Sequence, residues 1–123
     1  MRILITGATK GIGRAIVDRF CPAAEVLHLV ARQQADLEEL ALEVARPELK
    51  VHIHAVDLSV EHEVTALAER VVAMSNGLDV LVNNAGVYLP GQISSEPTSQ
   101  LPYMMRLNVL SHYLLVRGLQ PLL

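Results

Sequence analysis

The chain has 123 residues, which fits a single domain, and 51% of them are hydrophobic, so a buried core is expected. Its formal net charge of −3, without any basic run, excludes a surface that attracts nucleic acid. No apolar stretch reaches membrane-spanning length, the first apolar run is too short for a signal peptide, and the single cysteine excludes a disulfide framework. We therefore expect a soluble, cytoplasmic protein without a nucleic-acid or membrane partner.

An apolar strand at residues 2–6 opens the chain and runs into a turn that contains three glycines. Apolar side chains at helical spacing then predict a helix over residues 12–20, which Pro22 ends. A second apolar strand is predicted at residues 26–30.

The second helix is predicted from an apolar stripe near a possible capping box, formed by Asp36 and Glu39 three residues later. A proline ends this helix, and a third strand follows at residues 51–56. His52 and His54 alternate on that strand with no cysteine beside them. This pattern favours polar positions on a partly wet face over a metal site, so no metal is expected.

The third helix is predicted to begin at Ser59, a plausible N-cap, and to stop at an Asn-Gly pair before a fourth strand at residues 78–82. Residues 87–102 are rich in Pro, Gly and Ser, which predicts a loop. Residues 103–119 are helical and apolar over most of their circumference, so we expect this last helix to be covered on more than one side.

Strands and helices thus alternate in the order β-α-β-α-β-α-β with short links. Apolar strands that alternate with amphipathic helices indicate a parallel sheet covered on both faces. Right-handed crossovers then predict an α/β fold with a doubly wound, Rossmann-like sheet.

The glycine turn after the first strand has the composition of a phosphate-binding turn. Gly7 allows a tight turn, Gly11 removes a Cβ that would block a pyrophosphate, and Gly13 allows the helix to pack closely. The following helix offers unpaired N–H groups to the phosphates. A glycine-rich turn is often only a turn, but the strand before it and the helix after it favour dinucleotide binding.

A second motif, Asn83-Asn84-Ala85-Gly86, directly follows the fourth strand. In a doubly wound sheet the first and fourth strands flank the crevice that binds ligands, and small or amide residues there suit a close approach of a cofactor. The alternative is a turn stabilised by asparagine side chains, which is common.

Together these motifs resemble the short-chain dehydrogenase/reductase family over residues 1–123. The resemblance rests on the glycine turn, Asp57-Leu58 after the third strand, the run from Asn83 to Gly86, and Asn108 in the last helix. It implies hydride transfer between a nicotinamide and a small carbonyl or alcohol substrate. It also implies that Asp57 contacts the adenine and that Asn108 belongs to a catalytic tetrad. The alternative for Asn108 is a polar residue that binds only a water or a backbone carbonyl.

Charge at the end of the second strand predicts the choice of cofactor. An NAD site places an acid there, but this strand ends in Arg32, and Lys10 lies in the glycine turn. Both cations suit a 2′-phosphate, which favours NADP(H), although both are also compatible with ordinary solvated charges. The residues expected to bind the cofactor are Gly7, Thr9, Lys10, Gly11, Ile12, Gly13, Arg32, Asp57, Leu58, Asn83, Ala85 and Gly86.

One departure from the family pattern concerns catalysis. The family uses a Ser and a Tyr-x-x-x-Lys motif, but Tyr88, Tyr103 and Tyr113 have no Lys four residues on. We therefore expect residues 1–123 to be a partial, N-terminal cofactor-binding portion of an NADP(H)-dependent oxidoreductase, inactive alone and truncated after the last helix. The alternatives are a non-catalytic dinucleotide-binding module and a truncation product without function. In the family this last helix commonly forms a subunit interface, which predicts a homo-oligomer through the helix near Tyr103.

Overall fold

Four parallel strands form one sheet in the computed structural model, which describes residues 1–123. The strands are β1 (Arg2–Thr6), β2 (Val26–Ala31), β3 (Lys50–Ala55) and β4 (Val80–Val82). Their order in the sheet is β3-β2-β1-β4, so the chain winds outward from β1 and then crosses to the other side of it. This change of direction confirms the predicted doubly wound, Rossmann-like α/β fold.

Five α-helices accompany the strands. They are α1 (Gly11–Phe20), α2 (Gln34–Val44), α3 (Glu61–Met74), α4 (Gln100–Met105) and α5 (Ser111–Leu119). A five-residue π-helical stretch, Arg106–Leu110, joins α4 to α5. None of the helices has both the length and the apolar character needed to cross a bilayer.

The sheet carries a buried apolar layer on each face because side chains of a strand alternate between its two sides. Ile3 and Ile5 of β1 pack in the layer with α1 and α2, whereas Leu4 packs in the layer with α3 and α5. Helices α3 and α5 approach each other closely, since a Cβ on Gly118 would lie 2.5 Å from the Cβ of Ala68. The expected cover on both faces of the sheet is therefore confirmed.

Both predicted side-chain caps are wrong. Helix α2 begins before the predicted capping box, with Gln33 as its N-cap residue and no side-chain capping bond, so Asp36 falls in its first turn. Helix α3 has Val60 as its N-cap residue. The Ser59 hydroxyl donates instead to Oδ1 of Asp57 at 2.7 Å, and this local turn removes it from the helix terminus.

The last helix begins three residues earlier than predicted, at Gln100, with Pro102 in its first turn, where a missing N–H costs no hydrogen bond. It is also not a continuous α-helix. Within the π-helical stretch the N–H of Ser111 bonds to the carbonyl of Arg106, five residues back. The Ser111 hydroxyl donates to the carbonyl of Leu107, four residues back, at 2.6 Å.

The strand histidines are more enclosed than predicted. His54 is 6% exposed and His28 on the neighbouring strand is 1% exposed, whereas His52 is half-buried. The Nδ1 of His28 lies 3.1 Å from the Nε2 of His54, and Ser75 after α3 lies with its hydroxyl 3.0 Å from the other ring nitrogen of His28. The prediction of a partly solvent-exposed face is therefore correct only for His52, because the end of α3 covers the rings of His28 and His54.

Candidate functional site

A cavity of about 280 Å³ opens at the carboxyl ends of the strands, where β1 and β4 diverge into different crossovers. This is the position at which doubly wound sheets bind ligands. Its lining comes from the glycine turn, the ends of β2 and β3, the segment after β4, and the last helix. The lining residues are Gly7, Thr9, Lys10, Val30, Ala31, Arg32, Gln33, Asp36, Val56, Leu58, Asn84, Ala85, Gly86, Val87, Tyr103 and Leu107.

The glycine turn is built from two left-handed residues. Gly7 has φ +65° and Gly11 has φ +54°, a region that side chains with a Cβ rarely adopt. A Cβ on Gly11 would meet nothing within 4 Å, so open space lies next to it. A Cβ on Gly13 would overlap the carbonyl oxygen of Gly7. The close approach at Gly13 is therefore between α1 and the turn itself.

The N-terminus of α1 is open beside this turn. Its N-cap residue is Lys10, and no side chain caps the helix. The first N–H groups of an α-helix have no partner inside the helix, and together with the helix dipole they attract anions. The open cradle at Gly11 and the uncapped helix fit a diphosphate group.

Asn84 and Thr6 lock the segment after β4 onto the end of β1. The Thr6 hydroxyl accepts from the backbone N–H groups of Asn84 and Ala85, both at 3.0 Å, and donates to the carbonyl of Val82 at 3.2 Å. The Asn84 amide donates to the carbonyls of Thr6 and Gly7 at 3.1 and 3.3 Å. This network fixes one wall of the cavity against the glycine turn. Asn84, which the sequence-based list of binding residues omitted, thus supports the site.

Asn83, its neighbour in the motif, behaves differently. Its Oδ1 is buried and has no hydrogen-bond partner within the protein. A buried polar atom without a partner is costly, so a ligand or water donor at this atom would be favourable.

Three charged side chains meet at the end of the cavity formed by β2 and α2. Arg32 is exposed and makes no ion pair. The Nζ of Lys10 lies 3.8 Å from Oδ2 of Asp36. The two cations expected to meet a 2′-phosphate thus line the same cavity, and an acid that lines it too is paired with one of them.

Asp57 and Leu58, which follow β3, have different roles: one supports the cavity wall and the other lines the cavity. Leu58 lines the cavity. Oδ1 of Asp57 accepts from both the backbone N–H and the hydroxyl of Ser59, at 2.9 and 2.7 Å. The backbone N–H of Asp57 donates to Glu63 at 2.8 Å. These bonds hold Leu58 at the cavity wall.

Asn108 holds the chain beyond β4 through both ends of its amide. Its Oδ1 accepts from the N–H of Val87 at 2.7 Å, and its Nδ2 donates to the carbonyl of the same residue at 2.6 Å. A Cβ on Gly86 would lie 3.2 Å from Oδ1 of Asn108, so the glycine permits this approach. The side chain thus makes the backbone contact that was the alternative to a catalytic role. Nearby, His112 lies with Nε2 2.9 Å from the carbonyl of Ala85.

The cavity brings together about half of the residues expected to bind cofactor. Those that line it are Gly7, Thr9, Lys10, Arg32, Leu58, Ala85 and Gly86. Those that do not are Gly11, Ile12, Gly13, Asp57 and Asn83, and Asn108 also lies outside the lining. The sequence-based list missed nine lining residues, which are Val30, Ala31, Gln33, Asp36, Val56, Asn84, Val87, Tyr103 and Leu107. Of these, only Asn84 carried a signal, since it belongs to the asparagine motif.

A family model described as short chain dehydrogenase matches residues 1–123. Sepiapterin reductase from Chlorobaculum tepidum is 36% identical over 124 residues, which cover 95% of this chain and 51% of the reductase. The crystal structure of a metagenomic short-chain oxidoreductase in complex with NADP is similar with a TM-score of 0.88 and 31% identity, covering 98% of this chain and 55% of that one. L-sorbose reductase from Gluconobacter frateurii, complexed with NADPH and L-sorbose, has a TM-score of 0.89 and 34% identity, covering 97% and 46%.

The chain spans about half the length of the curated relatives it matches. Over that half, the family match includes the glycine turn, the asparagine motif after β4 and the last helix. The chain belongs to the short-chain dehydrogenase family.

Proposed function

We propose that residues 1–123 form the NADP(H)-binding portion of a short-chain oxidoreductase, which transfers hydride between the nicotinamide and a small carbonyl or alcohol substrate. One observation carries the proposal: a single cavity is lined by the glycine turn, through Gly7, Thr9 and Lys10, and by Arg32 directly after β2. An anion-binding turn and cationic side chains in one cavity suit the diphosphate and the 2′-phosphate of one ligand. The NADP and NADPH complexes of similar proteins support the same choice.

Each side chain then has a defined task. The turn from Gly7 to Gly13 and the N-terminus of α1 hold the diphosphate, and Arg32 presents a fork of donors to the 2′-phosphate. Leu58 packs against the adenine, with Asp57 as its polar neighbour. When bound, NADP(H) supplies the hydride. Asn108 positions the backbone at Val87, beyond the asparagine motif, and this is the role we propose for it in the catalytic site.

Cofactor preference tests the proposal directly. Purified protein should bind NADPH more tightly than NADH in calorimetry. Arg32→Asp should weaken NADPH binding by about tenfold or more, because a charged hydrogen bond is lost and a like charge faces the phosphate. Arg19→Asp is the matched control, since this exposed arginine lies in the last turn of α1, away from the cavity. Equal affinities for the two cofactors, unaffected by Arg32→Asp, would contradict the proposal.

A non-catalytic dinucleotide-binding module is the second candidate. The observation that favours it is that no tyrosine among these 123 residues has a lysine four residues on. A missing general acid is typically worth about 10²–10⁴-fold in rate. A polypeptide of these residues should therefore bind NADPH without oxidising it above blank when offered a panel of ketones and aldehydes. Turnover that persists through repeated purification would exclude this candidate.

We also propose a cytoplasmic location and a homo-oligomer. The lone cysteine, Cys21, supports a reducing compartment. An exposed apolar stripe along α4 and α5 supports self-association; it consists of Leu101, Met105, Val109, Tyr113 and Val116. Light scattering should report a mass above that of the monomer, and Val109→Glu, at the centre of the stripe, should lower it. A monomer at tens of micromolar would contradict the oligomer.

A further inference from the structure

The end of the cavity that we assign to the 2′-phosphate contains an acid as well as two bases. Asp36 lies in the first turn of α2 and lines the cavity beside Arg32 and Gln33. Its carboxylate would repel a phosphate and removes one unit of positive charge from this region. An acid in this position weakens the binding of a phosphorylated ribose, which a site made only for that ligand would not be expected to do.

The acid has a specific partner. Oδ2 of Asp36 lies 3.8 Å from Nζ of Lys10, and neither atom has another ionic partner. The Lys10 side chain is 83% exposed and the Asp36 side chain 39% exposed, so solvent screens the pair. Exposed pairs of this kind stabilise a fold only weakly, and their side chains exchange partners readily. Lys10 can therefore turn from the carboxylate to a phosphate that enters the cavity.

We propose that Asp36 competes with the 2′-phosphate for Lys10 and thereby sets how strongly the site discriminates between phosphorylated and unphosphorylated adenosine ligands. The inference rests on the proposed function and assigns a specificity role to a residue outside the expected binding set. Binding of a 2′-phosphate requires the ion pair between Lys10 and Asp36 to break. A ligand with a free 2′-hydroxyl leaves that pair intact, so Asp36 selectively weakens binding of the phosphorylated ligand.

The test uses two probes that differ only in the group at issue, adenosine 2′,5′-bisphosphate and 5′-AMP, titrated calorimetrically at low ionic strength. Asp36→Asn removes the charge and keeps the shape. It should tighten the bisphosphate by about three- to fivefold, which corresponds to the upper end of exposed ion-pair energies, and leave 5′-AMP unchanged. Glu39→Gln is the matched control, because it makes the same charge change on the exposed side of the same helix and makes no ion pair.

A double-mutant cycle separates competition for Lys10 from direct repulsion of the phosphate. Lys10→Met removes the partner, so Asp36→Asn in that background should tighten the bisphosphate much less, because only the direct repulsion between Asp36 and the phosphate is then relieved. The same gain in both backgrounds would overturn the inference, because Asp36 would then act on the phosphate itself. No gain with Lys10 present, or weaker binding, would also overturn it. Failure of the proposed function would look different, since the unaltered protein would bind neither probe.

Discussion

Acid should destabilise the fold through the buried pair formed by His28 and His54. The two rings share a 3.1 Å contact between β2 and β3. Burial, followed by repulsion from His54 and His52, lowers the pKa of His28 from 6.5 to about 4. Burial, followed by Arg70 and then His52, lowers the pKa of His54 to about 4 as well. Both rings therefore stay neutral in the folded state at pH values where an unfolded chain protonates them.

The sign and size of the effect follow from these values. Between pH 6.5 and pH 4 the unfolded state binds more protons, so the free energy of unfolding falls as the pH falls. Stability from these groups is complete above about pH 6.5 and is lost progressively as the pH falls from 6.5 to about 4, below which no more is lost. At pH 5 the protonation of each ring in the unfolded state lowers the free energy of unfolding by about 2 kcal/mol. The two rings titrate as a coupled pair, and half-buried His52 admits some solvent, so their effects do not simply add. We expect the free energy of unfolding to fall by about 2–4 kcal/mol in total.

Urea unfolding of the protein at several pH values measures this loss. Between pH 7.5 and pH 5 the midpoint should fall by about 1–2 M. The double variant His28→Leu and His54→Leu removes both rings together, so neither ring is left buried without the other. Most of the fall in the urea midpoint should then disappear. His62→Gln is the control, since this histidine on α3 is exposed and lies outside the buried pair. A fall of equal size in the unaltered protein and the double variant would refute the reasoning.

Three further changes test the glycine turn and the last helix. Gly13→Val should prevent folding, since its Cβ would overlap the Gly7 carbonyl; circular dichroism that shows a cooperative native state would contradict this. A Cβ at Gly11 would meet no atom within 4 Å, so Gly11→Val should retain the fold at a cost of about 1–2 kcal/mol from its left-handed backbone, yet lose NADPH binding; normal binding would refute the cradle. Asn108→Ala should lower stability by about 1–3 kcal/mol by leaving both backbone groups of Val87 unpaired, and an unchanged melting temperature would contradict the contact.

Much of the fold and part of the site could be predicted from the sequence because the signals are local. The strand 2–6, the glycine turn and α1 lie within twenty residues, and each follows from spacing and from the conformational freedom of glycine. The alternation of strands and helices then leaves few topologies, which is why the doubly wound sheet was predictable. Arg32 and Lys10 were expected at the site because of their charge after the second strand and in the glycine turn, and both line the cavity.

Contacts between distant segments could not be predicted in this way. Asn84 bonds to Thr6 and Gly7 across 77 or more residues, and Asp36 meets Lys10 only because α2 begins at Gln34. The helix caps were mispredicted for a different reason, since Ser59 bonds to Asp57 in a local turn and α2 and α3 begin at residues whose side chains do not cap them.

The sequence by itself determined the family, the order of the elements and the presence of a phosphate-binding turn, because these depend on local pattern and steric freedom. Only the tertiary structure decided which polar groups are paired. The His28 ring stacks on its register partner His52, places one nitrogen 3.1 Å from His54 on the same strand, and meets Ser75 after α3 with its other nitrogen. A polar side chain's partner depends on strand register and helix placement, and both are set by packing of the whole core.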